Sequence, residues 1–233
     1  MVERRIGGSQ RIPRPRTWEL GGLPSWVQAA PPLHTADSIA ERVTGAGLDK
    51  KIEPPLFAGG RSSAVLIVLA DGPNGAEVLL TKRSQHLRHH PGEISFPGGR
   101  MDPGESPTQA ALREAAEEVD LRHDDVRIRG QLSALSTLVS NSYIVPIVAE
   151  LAAATERPVL QALTTEVDRI MWVPLAELIR PDTFRLEHWQ LGTVQRPIHF
   201  FELDDETIWG ATGRMLFQLL ELIYGPPATR TAL

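Results

Sequence analysis

The chain contains no cysteine, which excludes a disulfide framework, a thiolate metal centre and a cysteine nucleophile. Long apolar runs are missing too. The longest, Ala64 to Ala70, falls far short of the ~20 residues that a membrane-spanning helix needs. The N-terminus opens on charges without an apolar signal core, so the expectation is neither membrane nor secretion, with the cytoplasm as the default setting. An excess of basic charge is also absent: 24 Lys and Arg stand against 29 Asp and Glu, a formal net charge of −5, which disfavours non-specific nucleic-acid binding. There is no internal repeat and no low-complexity block.

What is present is an ordinary soluble composition, 42% hydrophobic and 23% charged over 233 residues, long enough for one large domain or a domain with an extension. We read the latter. Residues 1–50 form a Pro/Gly/Arg-rich N-terminal extension, partly ordered, whose composition does not promise a packed core. Within it, "TADSIAERVTGAGL" offers a short helix capped by Thr35 or Asp37 and stopped by Gly45 or Gly47. Residues 51–233 carry the main domain. "SAVLIVLA", the turn-forming "DGPNG" and "AEVLLTKR" read as a β-hairpin with a five-residue loop. "GEISFPGG" is a short strand ending in a glycine turn. Strands follow at "VRIRGQL", "SYIVPIVAEL" and "VDRIMWVP", then a short helix "LAELI", a hairpin "FRLEHWQLGTVQRPIHFFEL", and a last helix "TIWGATGRMLFQLLELIY" ended by Gly225-Pro226. Strands dominate, so the two substantial helices must cover the apolar faces of a sheet.

The densest chemistry lies in "GGRMDPGESPTQAALREAAEEVD", residues 98–120. Ser106, Pro107 and Gln109 supply an N-cap, a proline at the first helical position and a capping box, so a helix starts at Pro107. At ~100° per residue, Leu112, Ala115, Ala116 and Val119 share one side, and Glu114, Glu117 and Glu118 share the other. Carboxylates so spaced repel one another, and they sit near the helix end where acids are least favoured. Something positive must compensate them. With Gly98 and Gly99 in a tight turn ahead of the helix, these hard oxygen donors suit Mg²⁺ or Mn²⁺ with phosphate oxygens completing the shell.

Gly99, Glu105, Arg113-Glu114-Ala115 and Glu117-Glu118, at these spacings, resemble the box of the Nudix hydrolases, G-x5-E-x7-R-E-U-x-E-E-x-G-U. Two positions depart: Ala115 is small for its slot, and Asp120 stands where the pattern has glycine; Asp tolerates the left-handed turn required there. The resemblance implies a Nudix fold, an α/β/α sandwich with a mixed β-sheet and a loop-helix-loop box. It makes Glu114, Glu117, Glu118 and the Gly99 carbonyl metal ligands. Arg113 would orient the glutamates, Glu105 would tie the loop to the helix, and Glu114 is an alternative base.

Upstream, "LLTKRSQHLRHHPGEISFPGG" resembles the signature of the coenzyme A pyrophosphatase branch, L-L-T-x-R-[SA]-x3-R-x3-G-x3-F-P-G-G. This implies hydrolysis of the coenzyme A diphosphate, with Lys82, Arg83, Arg88, Gly98 and Gly99 as substrate-binding residues; arginine's planar fork suits phosphate. His86, His89 and His90 read as a solvated loop. Glu166 is a candidate base, and Trp209 and Phe217 read as core. Two alternatives stay open: a Nudix hydrolase of another nucleoside diphosphate derivative such as ADP-ribose, and a catalytically silent Nudix binding module. A homodimer is likewise an open expectation.

Overall fold

A computed structural model of the chain describes residues 5–28, 33–46, 61–137, 142–152 and 157–225. The strands are β1 (Trp18–Leu20), β2 (Arg61–Gly72), β3 (Gly75–Arg83), β4 (Ile94–Ser95), β5 (Gly98–Arg100), β6 (Val126–Gln131), β7 (Leu135–Thr137), β8 (Ser142–Leu151), β9 (Val167–Pro174), β10 (Phe184–Leu191), β11 (Val194–Glu202) and β12 (Thr207–Ile208). The helices are α1 (Ser25–Gln28), α2 (Ala36–Ala46), α3 (Pro107–Val119), α4 (Leu175–Leu178) and α5 (Gly210–Tyr224). None is long and apolar enough to cross a membrane among the described residues.

The larger sheet is mixed: β2 runs parallel to β8, and its other pairings are antiparallel. β2 is apolar from Ala64 to Ala70 because both its faces are covered there. Ala64, Leu66 and Val68 meet Ala110, Ala111, Ala115 and Val119 of α3. Ile67 and Leu69 face the opposite core, with Trp26, Ile39 and Val43 from the N-terminal segments and Leu216, Leu219 and Leu220 of α5. The result is the expected α/β/α arrangement. A second sheet, ordered β1-β10-β11-β12, adjoins that core, into which Phe184 and Phe201 project.

The β2–β3 hairpin forms, but its strands run on into the expected five-residue loop, pairing Asp71 with Ala76 and Gly72 with Gly75. Further along, the two strands part. β5 pairs with the start of β2, β4 pairs with the end of β3, and Leu66 N–H donates to the Pro97 carbonyl at 2.8 Å. The segment that holds the glycine turn is therefore wedged inside the opened sheet, as two short strands rather than one.

Two sequence expectations are corrected. The last helix begins at Gly210, because Thr207 and Ile208 pair with Glu202 and Phe201 as β12. Residues before 50 pack more than their composition suggests: Trp26, Ile39 and Val43 are buried, and Trp26 Nε1 donates to Glu221 Oε1 at 2.5 Å. The Thr35 hydroxyl accepts from Ser38 N–H at 3.2 Å, as a cap should, and Asp71 Oδ1 reaches Ala36 N–H at 2.7 Å. Gly45 lies inside the helix; Gly47 and Pro226 lie outside the described residues.

Candidate active site

α3 is set by its ends. Ser106 caps it with both bonds of the capping box in place, and Asp120 closes it in the left-handed conformation at φ 60°, ψ 30°, its N–H donating to Ala116. The short residue in the glycine slot keeps the turn that the box requires. Ala115 is fully buried against the sheet, so the slot that the pattern fills with a bulky aliphatic is closed here around a methyl group.

Arg113 gathers the acids. Its Nε and Nη2 meet the Glu105 carboxylate at 3.0 and 3.1 Å, and its Nη1 reaches Glu114 Oε1 and Glu117 Oε2, both at 3.1 Å. Nη2 also donates to the Arg100 carbonyl at 3.0 Å. Glu105 in turn accepts from Asp102 N–H at 2.9 Å, so one guanidinium ties loop and helix together.

Glu118 stands apart from that network. It is 8% exposed, its Oε2 accepts from Gly98 N–H at 3.0 Å, and it has no ion-pair partner among the described residues. Burial pushes its carboxyl up to about 7, with the Gly98 bond opposing and repulsion from Glu114 adding to the rise. Burial likewise raises Glu114, against the pull of Arg113. The glycines are required here: a Cβ on Gly99 would lie 2.5 Å from the Glu114 carboxylate carbon, and one on Gly98 would lie 2.4 Å from the Ala64 carbonyl oxygen.

The basic residues divide. Arg83 Nη2 lies 3.6 Å from Glu166 Oε2, and both bear electrostatically on Glu118, so these three are brought together. Lys82 is not. Like Val78 and Leu80 it belongs to the face opposite α3, and its Nζ is 2.6 Å from Glu206 Oε1. Arg88 is exposed with no hydrogen-bond or ion-pair partner among the described residues. His86 and His89 are exposed too, while His90 pairs with Glu93 at 2.9 Å, a bond that raises its pKa. Phe217 packs on the core, and Trp209 stacks on Phe200. Sequence reasoning missed the segment before Glu166: Gln161 and Leu163 N–H donate to the carbonyls of Val119 and Glu118, fastening it to the end of α3. No local signal marks such a contact.

No three Asp, Glu or His residues form a ready-made ion cage among the described residues, because Arg113 draws Glu114 and Glu117 to itself. Glu118, buried and short of positive charge, and the oxygen-only donor set nevertheless fit a hard divalent cation.

The family model for the NUDIX domain matches residues 60–193. The chain is 34% identical over 173 residues to "Nudix hydrolase 3" of Caenorhabditis elegans, covering 69% of this chain and 72% of that protein. It is 34% identical to the "Peroxisomal coenzyme A diphosphatase ndx-8" of the same organism, over 72% of this chain and 71% of that one. It is also 34% identical to the "Uncharacterized Nudix hydrolase NudL" of Photorhabdus laumondii, over 74% and 92%. With the box on a capped helix and its acids beside the glycine turn, the match means that the chain belongs to the Nudix hydrolases, enzymes that cleave phosphorus-containing anhydrides.

Proposed function

We propose that this Nudix pyrophosphohydrolase cleaves the diphosphate of coenzyme A or its derivatives, giving 3′,5′-ADP and 4′-phosphopantetheine or its acylated form. The observation that carries the reading is the joining of the Leu79–Gly99 signature to the acidic helix, through the Gly98–Glu118 hydrogen bond at one end and the Arg83–Glu166 approach at the other. The similarity to a protein named as a coenzyme A diphosphatase supports it. A cytoplasmic setting is part of the same proposal.

Nudix hydrolases need divalent metal ions. Here Glu114, Glu117 and Glu118, with the Gly99 carbonyl, would hold Mg²⁺ or Mn²⁺, which supplies charge neutralisation at the diphosphate and a lower pKa for the attacking water. Arg113 keeps Glu114 and Glu117 in place while Gly98 N–H fixes Glu118. Arg83 and Arg88 meet phosphate oxygens; Gly98 and Gly99 leave room for the chain of phosphates to approach. Water's oxygen bonds to one phosphorus as the bridging oxygen leaves with the other, and its proton passes to a carboxylate, Glu166 or Glu114.

One observation favours the second reading, another nucleoside diphosphate derivative such as ADP-ribose. Lys82 is held by Glu206, which leaves one fewer cation for the 3′-phosphate that distinguishes coenzyme A. Phosphate release after phosphatase coupling, with Mg²⁺ or Mn²⁺, separates the readings. Coenzyme A and its acyl derivatives should be turned over in preference to ADP-ribose and dinucleotides. The reverse order would overturn the substrate assignment.

A further inference from the structure

Lys82 and Arg83 are neighbours in sequence but serve opposite faces of the sheet. The pairing of β3 with β9 shifts register between them: Lys82 stands opposite Arg169 and Arg83 opposite Val167, leaving Asp168 as an extra residue. Such a bulge interrupts the ladder beside Arg83, while Lys82 and Arg83 point to opposite faces as consecutive strand residues do. Asp168 Oδ2 accepts from Gln85 N–H at 3.2 Å, which turns the chain out of the strand just after Arg83.

Lys82 is the last fixed side chain before that break. Its partner Glu206 is 2% exposed, too deep to meet a substrate, and is held from three sides. Oε1 takes Lys82 Nζ at 2.6 Å and has Arg169 Nη1 3.5 Å away, while Oε2 accepts from Gln10 Nε2 at 2.9 Å. Gln10 is fixed in turn. Its Oε1 accepts from Thr207 N–H at 3.2 Å, Gly8 N–H donates to Thr207 Oγ1 at 2.9 Å, and Gly7 N–H donates to the Leu203 carbonyl at 3.1 Å. A chain of contacts thus runs from the N-terminal arm through Glu206 and Lys82 to the strand end that carries Arg83.

We propose that Glu206 is a positioning residue for the substrate site: through Lys82 it pins the end of β3 at the register that aims Arg83 toward Glu166 and Glu118, and Gln10 of the N-terminal arm holds Glu206 in place. The inference rests on the proposed contact of Arg83 with substrate phosphates. It gives the arm a task in substrate binding and gives a role to Lys82, which stands at the signature's variable position and is turned away from the acids.

The test is steady-state kinetics of the full chain on its best diphosphate substrate, with Glu206→Gln, Lys82→Met and Gln10→Ala, each alone and combined with Arg83→Ala. Glu206→Gln and Lys82→Met should raise KM roughly three- to tenfold with kcat within about twofold, and neither should raise it further once Arg83 is Ala. Gln10→Ala, which leaves the Lys82–Glu206 pair intact and serves if Glu206→Gln does not fold, should raise KM about twofold with the same dependence on Arg83. If Arg83→Ala raises KM and the other substitutions still add to it, or leave KM unchanged alone, Glu206 does not act through Arg83 and the proposal fails. If Arg83→Ala leaves KM unchanged, the phosphate role of Arg83 falls first and the positioning role falls with it.

Discussion

Among the buried glutamates of this molecule, those of the second sheet and that of α3 are treated in opposite ways. On the outer face of the second sheet, Glu187 is fully buried and surrounded by donors: Arg14 at 2.6 and 3.0 Å, Trp189 Nε1 at 2.7 Å, and Arg185. Beside it, Glu202 takes Arg185 Nη2 at 2.5 Å and the Thr207 hydroxyl at 2.6 Å. On α3, Glu118 is nearly as deep and has one backbone N–H. The first region meets the cost of burying charge with the protein's own cations, as a structural network must. The second leaves the cost uncovered, and a carboxylate kept short of positive charge beside a glycine turn is a place prepared for a ligand.

The largest effect should come from breaking the satisfied region. Glu187→Ala takes a buried carboxylate from both Arg185 and Arg14, and should destabilise the fold by about 3 to 5 kcal/mol. The reading is a lower urea midpoint at unchanged slope. A loss below about 1 kcal/mol would mean that this network is no better than a surface pair.

Glu118→Gln should do the reverse. Turnover should fall by ~10²-fold or more, while the metal-free protein keeps its fold. The same substitution sharpens a pH test. With its carboxyl raised from 4.5 to about 7 in the folded state, Glu118 binds a proton more tightly folded than unfolded. Its contribution is therefore complete below about pH 4.5 and is lost as pH rises through about 7, by at most roughly 3 kcal/mol. Denaturation of metal-free protein across that window should show this decline, Glu118→Gln should flatten it, and millimolar Mg²⁺ or Mn²⁺ should offset it by binding the native state. A decline identical in wild type and variant would remove Glu118 as its source.

Arg83→Ala should cost ~1.5 to 3 kcal/mol in kcat/KM for coenzyme A, and less for dephospho-coenzyme A if this arginine meets the 3′-phosphate. Equal losses would assign it to the diphosphate common to both. The smallest effect is expected at the helix end: Asp120→Gly should stabilise by about 0.5 to 1 kcal/mol, because glycine enters the left-handed conformation without strain, and should leave turnover unchanged. Altered kcat there would mean that the side chain has a role beyond the cap.

Much of this was legible along the chain because the physics that fixes it is local. A cap, its reciprocal Gln109 and the stop at Asp120 act within one helical turn, so the limits of α3 follow from spacing, whereas the acids divide in the fold, Glu118 buried with Ala111 and Ala115 and Glu117 exposed. Apolar and β-forming runs bounded by turn residues marked the strands of both hairpins, and the box and its upstream signature pointed to the family. The tertiary structure decided what depends on residues far apart in sequence. The parting of β2 and β3 places the glycine turn inside the sheet, and the partners that Lys82 and Arg83 meet on the two faces of β3, Glu206 and Glu166, come from later segments of the chain. The N-terminal arm is held by Glu187, Thr207 and Glu206, partners more than 170 positions away. Spacing reveals which residues share a helix face, but the charge state of Glu118 depends on how much water the assembled sheet and loops exclude, a quantity that exists only once the chain has folded.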